Sequence, residues 1–407
     1  MHSSSSNDTS LLTPEFCILM GIAFLAFCNI SLFYGLNAYL ESQQVSPLWR
    51  GILLGLEPCT ALILRPLVSP FLTVRNSLWV TGAALFLLMA ALCSYAHAHE
   101  IWTLALVRIA HGLGFVLLVS ALVTILVAYI PPERSGQGFG IFAIASLLPY
   151  AVLPPVVERL LPLVGSEPRV YALFTPALAL ALLPLPYLGR RTRLLAQNAA
   201  ATHRRPQCSD IRKNLHAPGI RQILVANGLV FTATTVVVFF MKDRLMEIDM
   251  HNVGLFFSVS TAATIGVRIF CGKWMDRVNR GVMLAVMLTA LAGILALFSV
   301  AGTAGQLYML AGLYGICLGF ALPQLNAVMF VISPPHLRGL NTNLMMFTMD
   351  AGYVLGPLLA GELLHAGIPT KDLFACFAAA PLLSAFLAYG LVGLMRPHAP
   401  ETPRAAD

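Results

Sequence analysis

The most constraining feature of the sequence is a series of long apolar runs separated by short polar breaks. A helix of about 20 apolar residues crosses the hydrocarbon core of a bilayer. Backbone groups find no water there, so each run is predicted to be a helix. The runs number twelve and lie near residues 16–40, 48–71, 77–96, 101–130, 137–161, 169–189, 220–241, 253–275, 281–303, 307–332, 340–364 and 372–395.

The charged residues are too few for a water-soluble protein. They make up 11% of the chain, and hydrophobic residues make up 58%, whereas soluble domains carry roughly 25% charged residues. This excludes a soluble enzyme, a disordered chain and a nucleic-acid partner, despite a net charge of +7. The eight cysteines are scattered without CxxC spacing, so neither a disulfide framework nor a metal site is expected.

The basic residues predict the orientation in the membrane. Sixteen Lys and Arg residues fall on the side that holds both termini, and six fall on the opposite side. By the positive-inside rule, both termini are expected in the cytoplasm, with the protein in a bacterial inner membrane. Met1–Thr13 has no Lys or Arg, and the first run is too long for a cleaved signal, so it is expected to stay as an anchor.

The longest break, Gly189–Gly219, divides the runs six and six. It carries seven basic residues and one acidic residue, a composition typical of a solvated linker that fixes orientation; a partner-binding role is the alternative. The expected organisation is an N-terminal half at 1–189 with a cytoplasmic tail at 1–14, a basic linker at 190–219 and a C-terminal half at 220–407.

An internal repeat relates these two halves. A shift of 203 residues places Gly51 on Gly254, Arg65 on Arg268, Pro131-Pro132 on Pro334-Pro335, Tyr150 on Tyr353 and Pro154 on Pro357. Two related six-helix halves are one known plan of transporters, with the binding site near the middle of the membrane between them.

The loop after the eighth run carries a family resemblance. Gly272, Asp276, Arg277 and Arg280 are spaced as G-x-x-x-D-R-x-x-R, which resembles the loop signature of the major facilitator superfamily. The resemblance implies a gating role for these four residues. An aspartate there can bond free N–H groups at a helix end and hold one conformation, and a glycine lets helices approach closely.

Two further patterns point to a branch of that superfamily. Arg108–Gly114 reads R-x-x-H-G-x-G and resembles the R-x-x-Q-G-x-G pattern of its proton-coupled drug and metabolite antiporters. Gly352–Gly361 contains G-x-x-x-G-P, which is similar to the antiporter pattern of the fifth span, although here it lies in the eleventh.

The resemblance implies an all-α membrane protein with twelve transmembrane helices in two six-helix halves, the major facilitator fold. It implies a monomeric transporter that works by alternating access on a small-molecule substrate, with protons and membrane lipid as further partners and no cofactor. Proton-coupled efflux of a small organic solute is favoured. Proton-coupled uptake or uniport of a sugar, organic acid or peptide is the alternative, and a receptor or enzyme without transport is a remote one. No hydrolytic or ATP-binding motif is present in the sequence, so an enzyme is not expected.

Ionisable residues inside the runs are the strongest functional signal, since burial of charge in a membrane is costly. Five occur: Glu57, Arg65, Arg108, Arg268 and Asp350. Glu57, Asp350, Arg108 and the nearby His111 are predicted to carry proton coupling, because a carboxylic acid in an apolar site or a histidine can exchange protons near neutral pH. The alternative for Asp350 is a structural pair with Arg65 across the halves, and Arg65 and Arg268 can also extend toward water at the helix ends.

Uncharged polar residues in the middle of the runs are candidates for substrate contact. These are Asn29, Asn227, Gln324, Asn326 and Tyr353. Hydrogen bonding between helices explains the amides equally well.

Overall fold

The computed structural model describes residues 12–68, 71–130, 135–198, 214, 216–217, 219–250, 252–275, 278–334 and 337–392. Within these ranges the chain forms helices and connecting segments without strands, and twelve helices are long and apolar enough to cross a membrane, as predicted. Spans 1 to 12 are, in chain order, Pro14–Ser42, Pro47–Val68, Val74–His97, Ile101–Tyr129, Gln137–Val164, Glu167–Thr192, Ile220–Met246, Val253–Phe270, Arg280–Val300, Ala304–Ile332, Leu340–His365 and Thr370–Tyr389.

Local chemistry sets where several spans begin. Span 3 starts after Thr73, whose hydroxyl accepts a hydrogen bond from the Asn76 N–H while the Asn76 side chain accepts one from the Thr73 N–H. Thr303 and Gln306 form the same reciprocal cap at the start of span 10. Such capping boxes satisfy N–H groups that have no partner inside the helix.

Spans 6 and 8 differ from the predicted runs at their ends. Span 8 ends at Phe270, earlier than predicted, and Gly272–Met275 forms a separate short helix. The helix that contains the end of span 6 continues to Asn198, into the segment predicted to be a linker. Hydropathy alone does not mark such ends, because a helix continues into polar sequence until its backbone hydrogen bonding is interrupted.

The two halves meet mainly along two helix pairs. Span 2 packs against span 11, and span 5 packs against span 8. We call the end of the bundle where span 6 ends and span 7 begins the linker face, and the opposite end the far face. The sequence predicts that the linker face is cytoplasmic.

Glycines allow both pairs to approach backbone to backbone near the far face. A Cβ atom on Gly51 would lie 2.5 Å from the carbonyl oxygen of Pro357, and one on Gly254 would lie 2.5 Å from the nitrogen of Pro155, next to Pro154. The internal repeat relates these contacts, since Gly254 and Pro357 follow Gly51 and Pro154 by 203 residues. The same contact therefore closes the far face twice.

Polar side chains add to this far-face contact. Lys242 of span 7 forms an ion pair with Glu167 of span 6, with Nζ 2.8 Å from Oε1. Asn37 of span 1 donates a hydrogen bond to Asp243 of span 7. A backbone N–H at the start of span 8 donates to Glu158 of span 5 at 2.6 Å. All three join the N-terminal half to the C-terminal half, so the halves are in direct contact at the far face.

Replacement of Gly51 by alanine tests this contact. We expect Gly51→Ala to lower stability by about 1–3 kcal/mol, because the added methyl group overlaps the span 11 backbone. The measurement is the thermal unfolding of purified protein in detergent. Gly21→Ala is the matched control, because a Cβ there meets nothing within 4 Å; equal melting temperatures for the two variants would contradict the packing role of Gly51.

Candidate functional site

A buried ion pair joins the halves closer to the linker face than the glycine–proline contacts are. Arg65 of span 2 donates from Nε to Asp350 Oδ2 at 2.6 Å and from Nη2 to Asp350 Oδ1 at 3.2 Å. The exposed fractions of the two residues are 7% and 5%. Two parallel bonds between a guanidinium and a carboxylate are the strongest geometry for such a pair. Arg65 thus contacts the other half, and the structural alternative predicted for Asp350 is present in this conformation.

Arg108 is held by backbone carbonyl groups of span 2. Its Nε donates to the Leu53 carbonyl and its Nη2 to the Leu54 carbonyl, both at 2.9 Å. The Leu54 carbonyl lacks its usual helical donor, because the residue four positions later is Pro58, which has no N–H. A proline in one helix therefore creates the acceptor that binds an arginine of another.

Glu57 lies beside this arginine in a tightly packed position. Its Oε2 is 3.9 Å from Arg108 Nη2, an ion pair too long for a hydrogen bond. Span 4 reaches this point because of Gly112, where a Cβ would lie 2.5 Å from the Glu57 carbonyl oxygen. In the part of the chain that the structure describes, no hydrogen bond is recorded for the Glu57 carboxylate, so this group can change its protonation without losing one.

His111 is enclosed in the N-terminal half. Its Nε2 lies 2.8 Å from Asn29 Nδ2, its Nδ1 lies 3.0 Å from the Tyr95 hydroxyl, and its exposed fraction is 0%. The Phe33 ring packs against the imidazole with 4.9 Å between centroids. Both ring nitrogens of His111 thus have hydrogen-bonding partners within its own half. These contacts favour a supporting role for His111, and its role as a proton carrier stays a prediction.

Aromatic side chains surround the centre of the interface. Tyr353 of span 11 packs on Phe231 of span 7, with ring centroids 5.6 Å apart. It lies within electrostatic range of Glu57, of Tyr314 in span 10 and of Tyr150 in span 5. Tyr150 and Tyr353 are equivalent in the internal repeat, so the two halves present the same residue to a shared centre.

Three of the four predicted amides bond to neighbouring helices. Asn29 contacts His111, Asn227 of span 7 donates to the Met345 carbonyl at 2.9 Å, and Gln324 of span 10 donates to the Met275 carbonyl at 3.3 Å. Asn326 is exposed and donates to a carbonyl of its own helix. These contacts favour the interhelical explanation, and substrate contact by the amides stays a prediction.

The predicted gating residues are only partly described. Asp276 and Arg277 lie outside the described residues. Arg280 begins span 9. Among the described residues, a Cβ on Gly272 would meet nothing within 4 Å. The gating role of these four residues stays a prediction.

Sequence reasoning misses several residues that the structure brings to the interface. Tyr150 is visible in the repeat, but no other signal marks it as a site residue, and Tyr314 and Phe231 are ordinary members of apolar runs. Lys242 counts in the sequence only toward orientation, although it bonds Glu167 across the halves. The repeat offers a signal for Tyr150 alone.

Comparisons with known proteins agree with this architecture. The Major Facilitator Superfamily model matches residues 19–247 and 223–407. No curated protein sequence matches the chain.

Solved structures share the fold at low sequence identity. A mutant form of the nucleoside transporter NupG is 15% identical with a TM-score of 0.75, covering 93% of this chain and 99% of its own. A bacterial homolog of the human lysosomal transporter Spinster, inward-facing and occupied, is 13% identical with a TM-score of 0.66, covering 93% and 96%. The human organic anion transporter MFSD10 is 15% identical with a TM-score of 0.63, covering 92% and 100%.

The family match covers most of the sequence, and the solved structures cover nearly all of the fold. The protein is therefore an integral membrane transporter and not an enzyme. The chain belongs to the major facilitator superfamily.

Proposed function

We propose that this transporter exports a small organic solute in exchange for protons, by alternating access to a site between its halves. The observation that carries the proposal is the Arg65–Asp350 pair, which is a titratable contact between the two halves. The pattern at Arg108–Gly114, similar to that of proton-coupled antiporters, favours export.

Protonation of Asp350 would change how strongly the halves attract each other. With the carboxylate ionised, two charge-assisted hydrogen bonds tie span 2 to span 11. A proton on Asp350 removes the charge that Arg65 pairs with and weakens this tie. A ligand shifts a conformational equilibrium only when it interacts differently with the two conformations. Proton binding at Asp350 would therefore shift the equilibrium between the two alternating-access conformations of the halves.

Glu57 is suited to exchange the proton. It lies in electrostatic range of both Asp350 and Arg65, so a proton on one carboxylate affects the other. Arg108 is fixed by the span 2 carbonyl groups and stays in place when Glu57 changes charge. We infer that Glu57 receives the proton and that Asp350 transmits its effect to the contact between the halves.

Neutral amides at the two carboxylates test the coupling. Asp350→Asn and Glu57→Gln keep side-chain size but cannot bind or release a proton. We expect proton-driven solute movement to be lost in each variant, while exchange of solute without a pH gradient continues. The measurement uses proteoliposomes containing a pH indicator, presented with a panel of solutes under gradients of both directions.

Glu362→Gln is the matched control for Asp350→Asn, because Glu362 is an exposed carboxylate on the same span. It should couple as the unmodified protein does. If solute movement stays fully coupled to the proton gradient in both amide variants, the carboxylate mechanism is wrong.

A double-mutant cycle tests whether Arg65 and Asp350 act as a pair. Arg65→Gln leaves Asp350 without this cation in a buried position, and we expect a loss of about 3–5 kcal/mol in stability. Arg65→Gln with Asp350→Asn should be more stable than Arg65→Gln alone, since no unpaired charge remains. The measurement is thermal unfolding in detergent, and additive effects of the two changes would contradict the pairing.

A further inference from the structure

Of the three arginines that the sequence places inside the apolar runs, Arg268 of span 8 is the one without a partner among the described residues. It makes no hydrogen bond and no ion pair within the described ranges, and its Nε is buried with no acceptor. Arg65, in contrast, is bonded to Asp350, and Arg108 has two carbonyl groups and Glu57. Arg268 is therefore the one of these three arginines whose charge no described group neutralises.

Helical geometry places Arg268 on the face of span 8 that meets the other half. Gly254 packs on the span 5 prolines, and Ser258, one turn later, donates to the Ala151 carbonyl of span 5 at 2.5 Å. Arg268 follows Gly254 by 14 residues, close to four full turns, and thus lies on the same face. It stands about 15 Å beyond Ser258 toward the linker face.

The internal repeat explains why this arginine lacks a carboxylate. Arg268 is equivalent to Arg65, and Gly254 is equivalent to Gly51. The residue equivalent to Asp350 is Leu147 of span 5, which has no charge. Spans 8 and 5 thus repeat the arrangement of spans 2 and 11. Arg268 takes the place of Arg65, but Leu147 takes the place of the carboxylate of Asp350.

Arg268 is half-buried and has no carboxylate partner among the described residues, so its guanidinium is available to an anion from outside the chain. Isolated charges in an apolar interior are costly, and such residues in membrane spans mark substrate or ion pathways. The geometry points to Arg268 as the group that binds the negative charge of the transported solute. This inference rests on the proposed function and adds a substrate class to it: an organic anion with a carboxylate or phosphate group.

The aromatic residues indicate where the rest of the solute lies. Tyr150 is one helical turn after Leu147, as Tyr353 is one turn after Asp350. Tyr150 and Tyr353 lie within electrostatic range of each other. An anion on Arg268 would therefore place its remaining atoms beside these rings, which offer apolar surface and hydroxyl donors.

The test measures which solutes the full-length protein moves in proteoliposomes. The probe is a cell extract of small molecules divided by ion exchange into anionic, neutral and cationic fractions, with the transported species read by mass spectrometry. We expect the unmodified protein to move members of the anionic fraction. Arg268→Gln should reduce this movement at least about tenfold, as for the loss of one charge-assisted hydrogen bond, and Arg268→Lys should retain part of it.

Two controls separate binding from folding. Arg75→Gln removes an exposed arginine near the linker face on span 3 and should transport as the unmodified protein does. Arg268→Gln should melt at the same temperature as the unmodified protein or higher, because it removes an unpaired charge; a large decrease would instead assign Arg268 a structural role and overturn the inference.

The outcomes are distinguishable. Selective movement of neutral or cationic solutes, or unchanged anion movement by Arg268→Gln, overturns the anion assignment and leaves the transporter proposal standing. Unchanged anion movement would indicate that the Arg268 side chain extends toward water at the helix end and does not bind solute. Failure of the unmodified protein to move any fraction under either direction of gradient overturns the proposed function itself.

Discussion

Charge burial in an apolar environment is the constraint on which the interface between the halves depends. The hydrocarbon core supplies no water, so a guanidinium group in a span must find acceptors on a neighbouring helix. Arg65 finds a carboxylate of span 11 and Arg108 finds carbonyl groups of span 2. These two solutions differ in kind, because the hydrogen bonds of Arg65 are to a carboxylate that can titrate, whereas those of Arg108 are to carbonyl groups that cannot. The first is suited to respond to protons, and the second is suited to remain constant.

The glycine–proline contacts provide the symmetric frame in which these charges lie. Gly51 against Pro357 and Gly254 against Pro155 bring two pairs of helices together in the same way near the far face. If only this packing mattered, the two helix pairs would present equivalent surfaces between the glycine–proline contacts and the linker face. The charges break this equivalence, since Asp350 has Leu147 as its counterpart. The chemistry of the site is therefore carried by the positions at which the two halves differ.

Much of this fold can be predicted from the sequence, because the bilayer reduces the problem to run length and hydropathy. The Arg65–Asp350 pair is also within reach, as an alternative, since few charges exist inside the spans. The sequence cannot predict whether Asn227 and Gln324 face a cavity or a neighbouring helix. A nearly uniform apolar run has no periodicity that distinguishes these two faces. Tyr314 cannot be singled out for the same reason. Its position depends on how the halves pack, which no local pattern encodes.

The hydrogen bonds of Arg108 to the span 2 backbone near Pro58 have a consequence for motion. Arg108 replaces a hydrogen bond that the span 2 backbone lacks, and Gly112 brings the span 4 backbone against Glu57. Any sliding of span 4 along span 2 would break two charged hydrogen bonds and expose a carbonyl group to hydrocarbon. These two helices therefore move as one solid piece. A proline that removes a hydrogen bond from span 2 thus contributes to the stiffness of the N-terminal half, because an arginine of span 4 replaces that bond.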